Sequence, residues 1–375
     1  MKILQVRSVL SDMGPGTQPL SIAMELRRRG HEVSFATSGG VYAREVIKAG
    51  FKVHIVPTMA HDRRDPLSTL RTLRAVGGIV ASEEIDVIHG HNAAATFLAY
   101  WGARLRGCKV HAVNSVRGLE QRPDYLWRNY IYRILPGQIL TVANITQREL
   151  VAIGVNPGRI SVTNNGYDPL RFDRERTDPM RIRKEFGLEG KRIIGCVGAM
   201  VRRPPSKGQH ILVQAFKQIA DRFPDLHLVL VGDGEGRPDV ESEVQSLSLQ
   251  KRVTLTGRRF DTPDFFASFD VYSLPSIEGE IFPNSIVEAM ALGVPWVGSD
   301  IAGLKELTAN GEAGIVVPIS NVEALAKALA MLLADEALRQ KMGARALAEA
   351  RERFTISSVV DRIFTAYLLG GGTES

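Results

Sequence analysis

Short apolar runs alternate with amphipathic stretches along most of the chain. Lys2–Leu10 is an apolar run, and a helical pattern from Thr17 to Arg29, stopped by Gly30, leads to a second run at Val33–Thr37. Strand, loop, helix and strand in that order make a βαβ unit, so parallel strands with right-handed crossovers are expected. The alternation continues through Lys52–Val56, a helix over Leu67–Ser82, Asp86–His89, a helix over Ala93–Arg106, Lys109–Val113, Ile139–Val142 and Arg159–Thr163. It resumes at Arg192–Gly198, His227–Val231, Val253–Thr256, Val271–Leu274 and Trp296–Gly298, and Val322–Leu369 is helical in spacing almost throughout. The expected fold class is α/β, with two doubly wound sheets in series and ligands at their C-terminal strand edges, facing a central cleft. The turn-rich Asn164–Asp168 stretch marks the boundary, giving domains at 1–168 and 169–354, with the polar Arg171–Asp178 segment as linker.

At 375 residues the chain has room for two cores, and 44% hydrophobic with 23% charged residues is an ordinary globular balance. No apolar run reaches the roughly 18 residues needed to cross a bilayer, and no signal peptide is evident, so a cytoplasmic protein is expected. Cys108 and Cys196 fall in different domains and suggest neither a disulfide framework nor a metal site. Charge changes the picture more. Residues 1–168 hold 21 Lys and Arg against 13 Asp and Glu, a balance of +8, whereas the remainder holds 26 against 28, a balance of −2. A basic first half suggests an anionic partner such as a membrane surface or a phosphorylated acceptor.

The stretch with the most chemistry is Ser276–Asp300, which follows a strand and carries Glu280 and Glu288 with seven residues between them. Pro283-Asn284 reads as a helix start with Asn and Ser supplying capping oxygens, and Ile286, Val287, Met290 and Ala291 give that helix an apolar face. A helix N-terminus just beyond a sheet's C-terminal edge suits phosphate. Glu288 could accept hydrogen bonds from a diol such as ribose, and Glu280 could reach the other end of the same ligand. A buried helix with solvated charges is the competing reading.

Glu-x7-Glu running into Glu288-Ala-Met-Ala-x-Gly-x-Pro resembles the donor-site signature of the retaining GT-B glycosyltransferases of family 4. The remaining motifs agree in order: a Gly-rich loop after the first strand, Asn165-Gly166-x-Asp168, Lys207-Gly208 and Val231-Gly-Asp-Gly234, so the resemblance spans about residues 1–365. It implies two Rossmann-like domains with a C-terminal helix, about 355–370, crossing back onto the first; Phe364, Tyr367 and Leu368 would supply its packing face. It implies closure about Asn165-Gly166 and a hexosyltransferase-type, metal-independent enzyme moving a sugar from a nucleotide-diphosphate sugar. A UDP-sugar is favoured, with a glycan or lipid-linked acceptor in surface polysaccharide or lipopolysaccharide assembly. A nucleotide-sugar 2-epimerase and a non-catalytic partner protein are the alternatives.

Gly16 and Thr17 of the first loop would contact the donor diphosphate by that resemblance, although Pro19 stands where a dinucleotide loop has its third glycine. Gly198 and Lys207 match the family loop that holds the diphosphate. Ala199 stands where the family has Arg, so Arg202 or Arg203 would take that role. Gly257 and Arg258 would face the base, with Asn284, Ser285 and Ile286 offering amides and Glu288 the ribose contact. His89 and His91 point to one side of a strand but have no third ligand nearby, so His91 and Asn92 are read as acceptor contacts or structural groups. Arg117 replaces the family's acceptor-facing His and suits an anionic acceptor or the donor phosphate. No metal and no cofactor are expected. Arg122–Leu135 mixes Arg with Trp and Tyr at helical spacing, which suits a membrane interface or a packing helix; no nucleic-acid motif accompanies it.

Overall fold

The computed structural model describes residues 1–10, 17–60, 65–120, 123–202, 206–301 and 303–369. The chain divides into two compact units, Met1–Gly166 with Ile356–Ser375, and Tyr167–Thr355.

The first unit is built on seven strands: β1 (Lys2–Val6), β2 (Glu32–Thr37), β3 (Lys52–Ile55), β4 (Val87–Gly90), β5 (His111–Val116), β6 (Gln138–Thr141) and β7 (Ile160–Val162). Their order is β3-β2-β1-β4-β5-β6-β7, with every pair parallel. The direction of winding reverses between β1 and β4, and loops from the C-terminal ends of those strands diverge there to leave a ligand crevice. Both faces are covered, which is why the central strands read as apolar runs rather than strict alternation. On one face Leu4, Val6 and Ile88 pack with Val76, Val80, Ala99 and Ala103 from two helices, Pro66–Glu83 and Ala93–Arg104. On the other, Ile3, Val87, Val113 and Leu140 meet Ile22 and Leu26 of the helix Gln18–Arg28 and Val359, Val360, Ile363 and Tyr367 of the helix Ile356–Leu369. Phe364 packs beside that cluster, but Leu368, expected in the same face, is 60% exposed. At about 100° per residue, position 368 rotates off the stripe set by 356, 360, 363 and 367. His89 ties this helix down, bonding the Tyr367 hydroxyl through Nδ1 at 2.7 Å and the Ser115 hydroxyl through Nε2 at 2.8 Å.

The second unit has six strands: β8 (Arg192–Val197), β9 (Leu226–Val231), β10 (Val253–Gly257), β11 (Val271–Leu274), β12 (Trp296–Ser299) and β13 (Gly314–Val317). They run parallel in the order β10-β9-β8-β11-β12-β13, with the reversal between β8 and β11. β13 is absent from the sequence reading, and β5 begins two residues later than expected there. All four residues of β11 and of β12 are buried.

Candidate functional site

In the second unit the switch point is assembled by glycine. The chain leaving β8 runs from Gly198 to Lys207 and enters the helix Gln209–Ala220 through Gly208. Gly208 has φ of +67°, and a Cβ there would lie 2.0 Å from the Pro275 carbonyl oxygen, so only glycine fits. The Ile277 N–H donates to the Ser206 carbonyl at 2.8 Å. These ties draw the loop after β8 against the loop after β11. There the Lys207 ammonium donates to the Glu280 carboxylate, with Glu280 buried and Lys207 partly so. The Lys207 stem lies over Gly198, where an added Cβ would sit 3.6 Å from its Cγ. Glycine also brings the β9 loop close: a Cβ on Gly232 would lie 2.0 Å from the Gly198 carbonyl oxygen.

The helix Asn284–Ala291 begins just beyond. Its N-cap residue is Pro283, and no side chain caps it, which corrects the expected Asn and Ser capping oxygens. Asn284 and Ser285 stand inside the first turn, where backbone N–H groups lack intrahelical partners. Ile286 is fully buried and its N–H donates to the Pro283 carbonyl at 3.2 Å. The buried Tyr272 hydroxyl donates to the Val197 carbonyl at 3.3 Å and accepts from the Ser285 hydroxyl, stitching the helix start to the end of β8. Glu288, one turn on, has its carboxyl pushed up to about 7 by burial, opposed by the charge of Arg171. Arg171 is itself anchored on the Phe260 carbonyl at 3.2 Å and the Thr262 hydroxyl at 3.3 Å.

The first unit gathers a second polar set around β1, β4 and β5. His91 lies stacked on His89 with ring centroids 4.5 Å apart, and its Nε2–H donates to the Gln5 side-chain carbonyl. Burial, with the charges of Arg117 and Arg7, holds His91 well below the usual imidazole range, so it is neutral and its Nδ1 has no partner. Arg117 donates to the Asn165 side-chain oxygen at 3.2 Å, and burial with the nearby Arg7 charge lowers its guanidinium to about 9. The Thr96 hydroxyl donates to the Asn114 side-chain oxygen at 2.5 Å.

Two family models match. One, described as Glycosyltransferase Family 4, covers residues 14–171, and the other, described as Glycosyl transferases group 1, covers residues 191–335. The chain belongs to the group 1, family 4 glycosyltransferases. This glycosyltransferase is 26% identical over 363 residues to the N-acetyl-alpha-D-glucosaminyl L-malate synthase of Bacillus anthracis, covering 94% of this chain and 93% of the relative. It is 27% identical over 339 residues to the UDP-Gal:alpha-D-GlcNAc-diphosphoundecaprenol alpha-1,3-galactosyltransferase of Escherichia coli, covering 87% and 85%. The Anabaena protein HepE, solved in complex with UDP-glucose, superposes with a TM-score of 0.83 at 22% identity over 98% of this chain and 100% of that one. The fold is GT-B.

In this glycosyltransferase Lys207, Glu280, Gly198, Asn284, Ser285 and Glu288 surround the switch point of the second sheet. Gly257 closes β10 with φ of +72° and accepts the Gly232 N–H at 3.0 Å, while Arg258 is exposed. Arg202 does not join Lys207: its guanidinium forms a two-pronged pair with Asp239 at 2.9 and 3.1 Å on the exposed start of a neighbouring helix. Arg203 and Gly16 lie outside the described residues. Thr17 occupies the N-cap position of Gln18–Arg28 without a capping side-chain bond. The Asn92 side chain is an N-cap, accepting the Ala95 N–H at 3.1 Å, so its oxygen serves the helix first. The described residues hold no group of three or more His, Cys, Asp or Glu suited to a metal ion. Sequence reasoning missed Gln18, whose side-chain amide brackets Gly166 by donating to its carbonyl at 2.8 Å and accepting its N–H at 3.2 Å. It also missed Arg7 and Gln5, which sit in an apolar run that signals only a strand.

Proposed function

We propose that this glycosyltransferase takes its sugar from a UDP-sugar without a metal ion and keeps the configuration of the anomeric carbon. The observation that carries the reading is the enclosed Lys207–Glu280 pair beside the Glu288 helix at the second sheet's switch point. Glu288 accepts from the ribose diol, and amides of the Asn284–Ala291 first turn with Lys207 meet the diphosphate. Gly257 and Arg258 border the base. Glu280, released from Lys207, turns to the donor sugar. The bond from the anomeric carbon to the diphosphate oxygen breaks with its electron pair going to the phosphate. The acceptor oxygen attacks on the same face, and its proton passes to that phosphate oxygen. Lys207 and the helix N-terminus stabilise the charge as it grows, which is where binding energy lowers the barrier.

The acceptor we assign is a glycan or lipid-linked glycan of surface polysaccharide or lipopolysaccharide assembly, in keeping with the diphosphoundecaprenol in the E. coli relative's name. A thermal-shift series with UDP, GDP, ADP, NAD and no ligand tests the donor. A ligand that binds only the folded state at a hundredfold excess over Kd adds about 2.7 kcal/mol. UDP is expected to raise the midpoint, and Lys207→Ala to remove most of that rise. No shift with any nucleotide would end the reading.

We also assign a peripheral site at the inner face of the cytoplasmic membrane; no described helix is long and apolar enough to cross one. In the 3-10 segment Pro123–Tyr130 and the short helix Ile131–Ile134 after it, Trp127 is 65% and Ile134 68% exposed, and the Arg128 guanidinium lies 4.4 Å over the Tyr125 ring. Exposed aromatics interleaved with Arg suit an interface of anionic headgroups. Vesicles containing anionic lipid are expected to float the protein, less so as salt rises. Flotation indifferent to salt and lipid charge would remove this assignment.

A further inference from the structure

The donor chemistry leaves unused the polar set at the C-terminal edge of the first sheet. Arg7 directly follows β1 and Arg117 directly follows β5, the neighbours on either side of β4. Arg117 donates to the neutral Asn165 side chain, and Arg7 Nη1 is buried without a partner. Among the described residues no carboxylate pairs with either guanidinium. One more buried polar atom beside them, His91 Nδ1, lacks a partner, while the Gln5 amide bonds the Tyr367 hydroxyl.

Buried polar groups in folded proteins nearly always find partners, and two orphans side by side call for an explanation. Here the orphaned Arg7 Nη1 is a nitrogen that only donates. Two like charges also stand close enough for Arg7 to lower Arg117, a cost that a structural role would relieve with a carboxylate. Neutral His91 faces both guanidinium groups without adding charge and presents an unprotonated Nδ1. A donor-rich, cationic surface without a carboxylate is complementary to an anion.

The geometry points to a subsite at this edge for an anionic group of the acceptor, a carboxylate or a phosphate, gripped by Arg7 and Arg117. The assignment of that anion to the acceptor rests on the second unit holding the donor. Arg7 also supplies what the Arg117 replacement alone does not, a second guanidinium, so that a planar carboxylate or a phosphate can be held from two sides.

The test is calorimetry on the full chain with inorganic phosphate, with succinate and, as control, with UDP. The wild type is expected to bind one of the two anions; phosphate preference indicates a phosphorylated acceptor, succinate preference a carboxylated one. Arg7→Gln and Arg117→Gln are each expected to weaken that anion at least about tenfold, with Arg117→Lys between, while leaving the UDP Kd within about twofold. Removing an unpaired buried charge is also expected to raise the ligand-free melting midpoint of Arg117→Gln, which shows folding independently of ligand. Failure of both anions to bind the wild type overturns the subsite, as does an anion affinity unchanged in both Gln variants. Equal loss of UDP and anion binding overturns it too, by giving the arginines to the donor diphosphate. Anion binding that survives while UDP fails to bind the wild type supports the anion site and overturns the donor reading instead.

Discussion

Lys207→Met is expected to lower kcat/KM for sugar transfer by about a hundred- to a thousandfold, the cost found when one preorganised donor to a developing negative charge is removed. The same change has a separate effect on stability. Glu280 is buried against Lys207, and removing one partner of a buried ion pair leaves the other unpaired at a cost of about 3–5 kcal/mol. A double-mutant cycle with Glu280→Gln separates the two. The single Lys207→Met protein should melt well below the wild type. The double variant should recover most of that loss, since neither charge remains, yet stay inactive. Recovery of activity along with stability would mean that Lys207 acts only as a structural counter-ion.

Glu288→Gln is expected to be more stable than the wild type at pH 8 and equal to it near pH 4.5. Burial raises the Glu288 carboxyl from the ordinary 4.5 to about 7 in the folded protein. The folded state therefore binds this proton more tightly than the unfolded chain. The stabilisation is complete below about pH 4.5, is lost as pH rises toward 7, and is gone above it. The difference between wild type and variant should grow across that window to on the order of 2–3 kcal/mol. Chemical denaturation at a series of pH values reads it, and a difference that does not change with pH would place Glu288 in an ordinary solvated setting. Nucleotide binding adds a second signature. A ribose diol donating to Glu288 favours its ionised form, so UDP binding near pH 7 should release a proton in the wild type beyond that released by Glu288→Gln. Calorimetry in buffers of different ionisation enthalpy measures that difference.

The parts of this molecule that read well from sequence are those set by local period and local geometry. Parallel strands buried on both faces leave apolar runs, and glycines at strand ends mark where the backbone must turn or approach, as at Gly198, Gly208 and Gly257. Lys207, Glu280 and Glu288 were legible because each lies within a few residues of such a signal. β13 escaped because Gly314-Ile-Val-Val317 is short, and its pairing with β12 depends on partners elsewhere. Side-chain commitments across long sequence distances were also out of reach. Nothing near Arg202 announces Asp239, and nothing near Gln18 announces Gly166, 148 residues away. Asn92 could have been read as a helix N-cap, since it directly precedes the apolar helix Ala93–Arg104, but its neighbours His89 and His91 drew the chemical reading. Arg7 gave no signal because a single charge at the end of an apolar strand is common; its meaning comes only from Arg117 across β4.

The helix Ile356–Leu369 belongs to the unit that opens the chain, while residues 167–355 in between form the other. During synthesis the second unit is therefore complete first, although all of the first up to Gly166 has already been made. Until Val360, Ile363 and Tyr367 arrive, the surface of Ile3, Val87, Val113 and Leu140 is covered only in part, by Ile22 and Leu26, and His89 lacks the Tyr367 hydroxyl. The nascent protein thus carries a finished second unit while the first still has a partly open apolar sheet face, available to chaperones or to a second nascent chain. Protection of that face against hydrogen exchange or proteolysis is expected to be complete only when the last helix docks.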